Sequence, residues 1–293
     1  MRSFTNYFDE ISRETYIEEQ HDILLEKLIT FGGKAYPKFG NVVIMAGGAG
    51  SGKGFIKDKL VGIEGKTFDV DALKSMAAAA PSIQKRIKKQ LGLDIKLIGS
   101  DLKKPENVAK MHEIISDVLN LDNRVKKALF NGIMLADPDR KPNLIFDVTL
   151  KDLRKLENIT RQVSNLGYDK SNIHIVWVVN DIEVAKAQNL KRSRTVPTEI
   201  LVNTHRGASQ TMLDIVTMGK GLKKYMNGDI VFAFNKVGVD SDISKSEKGG
   251  MYVKDANYFY VKRKNKDVQS VDSLDKELRM KIKSYVPANS EWL

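Results

Sequence analysis

The chain has 293 residues, 42% hydrophobic and 29% charged, fractions typical of an ordinary soluble globular protein with a sizeable core. It contains no cysteine, which excludes disulfides and thiolate zinc sites and is compatible with a reducing compartment. A formal net charge of +11 favours polyanionic partners such as nucleic acid, nucleotides or sugar nucleotides, although charge spread along the whole chain serves solubility equally well.

The first residues, Met1-Arg2-Ser3-Phe4-Thr5-Asn6, lack the apolar core of a signal peptide. The longest apolar runs, near Val42 and Ile175, are strand-length rather than membrane-length. A cytoplasmic protein with no membrane partner is therefore expected. From Asp9 to Phe31, the apolar positions Ile11, Tyr16, Ile23, Leu24 and Leu28 alternate with acidic residues and read as one or two amphipathic helices. Gly32-Gly33 and Pro37 stop them, giving an N-terminal helical segment over 1–40 whose acidic residues would face solvent, shield a basic groove or meet a partner.

Next comes an apolar run, Val42 to Ala46, that breaks into Gly47-Gly48-Ala49-Gly50-Ser51-Gly52-Lys53-Gly54. Strand, glycine-rich turn and Gly-Lys are the parts of a P-loop. Its glycines let successive N–H groups face one concavity, and its lysine reaches the β- and γ-phosphates of a nucleotide. A helix expected from about Phe55 adds its N-terminal dipole. The motif's metal-binding Ser or Thr is replaced by Gly54, and Phe55 follows, so the source of a Mg²⁺ ligand is left open.

Lys66 to Lys74 reads as a short second strand ending at acidic residues. In open α/β sheets, ligands sit beyond the carboxyl ends of the strands, so Asp69 and Asp71 fall where a phosphoryl acceptor would stand. A carboxylate there accepts a hydroxyl proton or helps to hold metal, and Asp71 would serve equally as a helix N-cap. Residues 75–140 lack a convincing strand and carry basic helical stretches such as Lys85-Arg86-Ile87-Lys88-Lys89, so they read as a helical insertion. With Phe130 as its one aromatic residue, the insertion is a poor base-stacking platform.

Pro142 to Thr149 is the expected third strand, with Asp147 and Thr149 at its functional end and Asp147 a candidate Walker-B-type carboxylate for Mg²⁺. A helix from about Lys151 to Leu166 follows. Ile173 to Val179 is the fourth strand, apolar throughout as a doubly covered strand would be, and His174 within it reads as a satisfied buried histidine. Two helices from about Ile182 and Thr198 flank Lys191-Arg192-Ser193-Arg194-Thr195-Val196-Pro197. Arginines at such a junction suit a phosphoryl-transfer lid, since their planar forks clamp equatorial oxygens. Asp229 to Phe234 is a fifth strand. Val239 to Gly250 reads as a mobile loop, Met251 to Lys264 as a terminal hairpin, and Ser270 to Tyr285 as a final helix.

Taken together, Asn41 to Asn235 resembles the zeta-toxin and polynucleotide-kinase branch of P-loop kinases. Asp71 and Lys74 match an Asp followed three residues later by a basic residue, and Asp147-Val148-Thr149-Leu150-Lys151 is similar to the end of the third strand. Arg192, Arg194 and Arg206, with Val196-Pro197 between them, match the arginines of the later helices. The resemblance implies an α/β P-loop kinase-like fold, with a mainly parallel five-stranded sheet and helices on both faces. It implies a kinase domain over 41–235, interrupted by the 75–140 insertion and followed over 236–293 by a hairpin and helix extension.

It also implies an ATP- or GTP-dependent phosphotransferase. Asp71 would be the general base, Lys53 would bind the donor phosphates, and Arg192 or Arg194 would stabilise the transferring group. Lys74, Asp147, Thr149, Lys151 and Arg206 would contact the acceptor, and Mg²⁺ would be held through nucleotide, water and Asp69, Asp71 or Asp147. Three functions stay open: a kinase of a sugar-nucleotide hydroxyl, a phage-type kinase of a polynucleotide end or hydroxymethylated DNA base, and a nucleotide-binding interaction protein without turnover. An inhibitor protein that covers the site is a further expected partner.

Overall fold

The computed structural model describes residues 36–59, 65–69, 76, 79–192, 195–236, 239–245, 251–287 and 292. The expected helices of 1–35, together with Asp71, Lys74 and Arg194, lie outside the described residues.

Strand β1 (Val42–Ala46) is wholly buried and has parallel neighbours on both sides, β3 (Leu144–Asp147) and β4 (Ile173–Val179). β2 (Lys66–Phe68) pairs with the outer side of β3, and β5 (Ile230–Phe234) with the outer side of β4. The order β2-β3-β1-β4-β5 therefore reverses direction at β1. Where strand order reverses, the connections leave to opposite sides and open a crevice beyond the strands' carboxyl ends.

Alternation along these strands divides the interior in two. Val42, Ile44 and Ala46 of β1 join Trp177, Phe232 and Phe146 on one face. Val43 and Met45 join Val176, Val178 and Val231 on the other. The first face is covered by α6 (Leu153–Asn165), α8 (Thr198–Thr217) and α9 (Lys276–Tyr285). On the second face, Ile56 of α1 (Lys53–Lys59) packs with the partly buried Tyr36 and Phe55.

Between β2 and β3 the insertion is helical, as expected: α2 (Pro81–Leu91), α3 (Ile95–Ser100), α4 (Pro105–His112), a π-helical stretch Glu113–Val118, and α5 (Leu121–Met134). Ile87, Ile95, Met111, Ile114, Ile115 and Leu119 give it a small core separate from the sheet. Lys126 of α5 lies over the Phe68 ring, 5.8 Å from its centroid, and ties that helix to β2.

The C-terminal part departs from expectation. β7 (Met251–Ala256) pairs with β6 (Ser241–Lys245), inside the segment read as a mobile loop, and not with β8 (Tyr258–Lys262). β8 instead adds a sixth strand to the main sheet, antiparallel to β5. Asn257 separates the two pairings: its N–H donates to Asp240 O and its carbonyl accepts from Phe234 N–H, both at 2.8 Å. The turn signal Gly249-Gly250 lies between β6 and β7, whereas nothing between Ala256 and Tyr258 supplies a hairpin turn. Among the described residues no helix is long and apolar enough to cross a membrane.

Candidate active site

The phosphate-loop segment leaves β1 at the point where strand order reverses. Its carbonyls are bonded by side chains from several directions. Lys53 Nζ donates to Gly47 O at 2.9 Å and to Gly48 O at 3.3 Å. His205 Nε2 meets Ala49 O at 2.8 Å, Asn180 Nδ2 meets Gly50 O at 3.4 Å, and Asn235 Nδ2 meets Ser51 O at 2.9 Å. A trans peptide points its C=O and the following N–H in opposite directions. Bonding Ala49 O and Ser51 O outward therefore turns the N–H groups of Gly50 and Gly52 the other way, the arrangement an anion cradle needs.

The glycines make this close seating possible. A Cβ at Gly48 would stand 2.1 Å from His205 Cδ2, and one at Gly52, whose φ is +88°, would stand 2.0 Å from Asn235 Nδ2. Gly54 differs: it is exposed, and a Cβ there meets nothing within 4 Å.

Asp147 ends β3, in register with Met45 of β1, and its Oδ1 lies 3.8 Å from Lys53 Nζ. Phe68 pairs with Phe146, so Asp69 and Asp147 leave neighbouring strands side by side. Beyond them, Thr149 O accepts from Gly47 N–H at 3.2 Å, and Leu150 follows with φ +52°. That backbone costs a residue with a Cβ about 1–2 kcal/mol, and full burial of the Leu150 side chain contributes a comparable gain of about 2 kcal/mol. The turn then brings Lys151 against α8, where a Cβ at Gly207 would lie 2.7 Å from that of Lys151.

The arginine junction is braced rather than open. Asn189 of α7 (Ile182–Lys191) donates to Val196 O at 2.7 Å and accepts from Val196 N–H at 3.0 Å. Thr195 is bonded to the insertion through Leu102 O and Lys103 O. Arg192 is exposed at the end of α7, and Arg206 is exposed on α8. Among the described residues, neither side chain bonds the phosphate loop. The structure thus brings Lys53, Asp147 and the Thr149 backbone together and leaves Arg192 and Arg206 facing solvent.

Four loop-holding residues went unnoticed in the sequence. Asn180 and Asn235 directly follow β4 and β5, a position that could have marked them. Thr204 and His205 lie inside a long helix with no local signal. Burial, opposed by the Ala49 hydrogen bond and reinforced by the Lys53 charge, lowers His205 to about 4, so the ring is neutral at pH 7. Because Ala49 O only accepts, Nε2 carries the ring proton. His174 is buried as expected and its Nδ1 accepts from Asp229 N–H at 3.0 Å, but its buried Nε2 has no hydrogen-bond partner among the described residues, so the ring is satisfied at one nitrogen rather than both.

The residues present fit the donor groups that such a loop implies. Mg²⁺ characteristically takes one or two carboxylates plus phosphate oxygens and water, and Asp147 and Asp69, which leave adjacent strand ends, are carboxylates that would suit it. Among the described residues there is no cluster of three or more His, Cys, Asp or Glu that could hold a metal by itself.

Sheet order, loop and helical layers define an α/β P-loop kinase-like fold. Among solved structures, the chain is similar to AvrRxo1-ORF1:-ORF2 with ATP at a TM-score of 0.50 and 13% identity, over 86% of this chain and 65% of that one. A structure of AvrRxo1-ORF1:AvrRxo1-ORF2 with sulphate ions gives 0.48 and 13%, over 95% and 73%. One of the PezAT chromosomal toxin–antitoxin system of Streptococcus pneumoniae gives 0.36 and 14%, over 79% and 77%. The chain spans about two thirds of the length of the first of these. No protein-family model and no curated protein matches the sequence.

Proposed function

We propose that this protein is a P-loop phosphotransferase that moves the γ-phosphoryl group of ATP or GTP to an acceptor hydroxyl. The observation that carries the reading is the bonding of Ala49 O by His205 and of Ser51 O by Asn235, which turns the Gly50 and Gly52 N–H groups the other way, with Lys53 set between Gly47 O and Asp147. Gly47 to Gly54 bind the donor phosphates, and Lys53 exchanges its loop carbonyls for phosphate oxygens. Asp71 takes the proton of the acceptor hydroxyl, and Arg192 or Arg194 meets the charge on the transferring group. Asp147, Thr149 and Lys151 form the acceptor side with Lys74 and Arg206. Asp69 and Asp147 would hold Mg²⁺, whose chemistry is to neutralise phosphate charge.

The acceptor is a sugar-nucleotide hydroxyl in the first reading. The net charge of +11 and the basic insertion favour a second, in which the acceptor is a polynucleotide end or a hydroxymethylated DNA base. Because AvrRxo1-ORF1:-ORF2 is a complex of two proteins, an inhibitory protein partner belongs to the same proposal.

The decisive experiment supplies γ-labelled ATP and Mg²⁺ with sugar nucleotides, nucleosides, oligonucleotides and modified DNA. Label is expected on one acceptor class and lost in Asp71→Asn. ATP binding without transfer to any acceptor would overturn the enzymatic reading in favour of a nucleotide-dependent binding protein.

A further inference from the structure

Two neighbouring residues of α8 grip the phosphate loop from outside. Ala49 N–H donates to Thr204 Oγ1 at 3.0 Å, and Ala49 O accepts from His205 Nε2–H at 2.8 Å. These bonds fix the peptide planes on both sides of one Cα, and so the φ and ψ of Ala49. The Thr204 hydroxyl has no freedom to do otherwise: its proton is committed to Leu201 O at 2.7 Å, which leaves a lone pair for Ala49 N–H.

The helix that carries the pair is firmly seated. Leu201, Ala208, Met212, Ile215 and Val216 of α8 are buried to 1% exposure or less. One turn beyond His205, Ser209 Oγ accepts from the buried Trp292 Nε1 at 2.8 Å. Resting on the reading of this loop as a nucleotide-phosphate cradle, we infer that Thr204 and His205 are positioning residues. They hold Ala49 so that Gly50 N–H faces the phosphate, and they preorganise the loop before the nucleotide arrives. Such a support works only if its own rotamers are locked, as the Leu201 bond and the buried ring provide.

Isosteric Thr204→Val removes the acceptor and keeps the volume, whereas Thr204→Ser keeps the hydroxyl. ATP with Mg²⁺ is titrated into full-length wild type and both variants, alongside thermal midpoints without nucleotide and amide hydrogen exchange over residues 47–54. Thr204→Val is expected to raise the ATP Kd about tenfold and speed exchange at Ala49, and Thr204→Ser to stay within about twofold of wild type. The two midpoints should agree to within about 2 °C. Wild-type ATP affinity in Thr204→Val, or equal losses in the Val and Ser variants, would overturn the positioning role while leaving the cradle reading intact. Wild type that binds no ATP would instead remove the cradle reading on which this inference rests.

Discussion

Lys53 Nζ stands 3.8 Å from Asp147 Oδ1 while donating to the carbonyl of Gly47, so one ammonium group joins the glycine loop after β1 to the carboxylate that ends β3. Removing either charge leaves the other half-buried and without this partner. For a phosphotransferase, Lys53→Ala is expected to lower transfer at least about 100-fold, because a preorganised cation facing phosphate charge acts most strongly in the transition state. Single-turnover transfer of labelled phosphate reads this directly, and a loss below tenfold would remove Lys53 from the donor site.

Gly54 offers a gain-of-function test. The position is exposed with open space around it, so Gly54→Thr should fold without strain and supply the hydroxyl that a P-loop ordinarily gives to Mg²⁺. ATP is expected to bind several-fold more tightly in Mg²⁺, with little change in EDTA. Identical affinities for wild type and variant in Mg²⁺ would place the metal away from the start of α1.

Gly48 behaves in the opposite way. Its missing side chain is space taken by the His205 ring, and Gly48→Ala would force a Cβ to within 2.1 Å of it. Overpacking of this kind costs about 1–3 kcal/mol. A lowered midpoint with weakened ATP binding is expected, whereas unchanged calorimetric midpoint and affinity would show that α8 moves aside freely.

The pH dependence follows from His205. Its pKa falls from 6.5 in the unfolded chain to about 4 in the fold, so between those values the unfolded state binds more protons. Stability is therefore complete above pH 6.5 and declines as pH falls toward 4, by on the order of 3 kcal/mol from this group. His174 shifts in the same sense, through burial that outweighs its interaction with Asp229. Denaturant midpoints from pH 7 to 4 should fall in wild type and fall less steeply in His205→Gln. Equal slopes would mean that His205 is accessible to protons in the folded state.

Local chemistry made much of the fold legible. Val42–Ala46 before the glycines and Ile173–Val179 without a polar break except His174 announced parallel strands covered on both faces, since only such strands lack alternation. The helical character of the insertion read over 75–140 was likewise legible from its basic helical stretches and the lack of a convincing strand. Gly47 to Lys53 announced the loop because its backbone demands are written in residue type.

Tertiary structure alone decided which side chains complete that loop and where β8 pairs. Thr204 and His205 lie some 155 residues from Ala49, inside a helix whose sequence carries no sign of what either side chain meets. Tyr258–Lys262 has the composition of either a hairpin arm or a sheet edge, and the exposed flank of β5 selects the second. Propensity and spacing act over a few residues, whereas bonding the loop carbonyls from Gly47 to Ser51 needs donors from α1, α8 and the ends of β4 and β5 at once. Only the packed sheet and helices place those donors together.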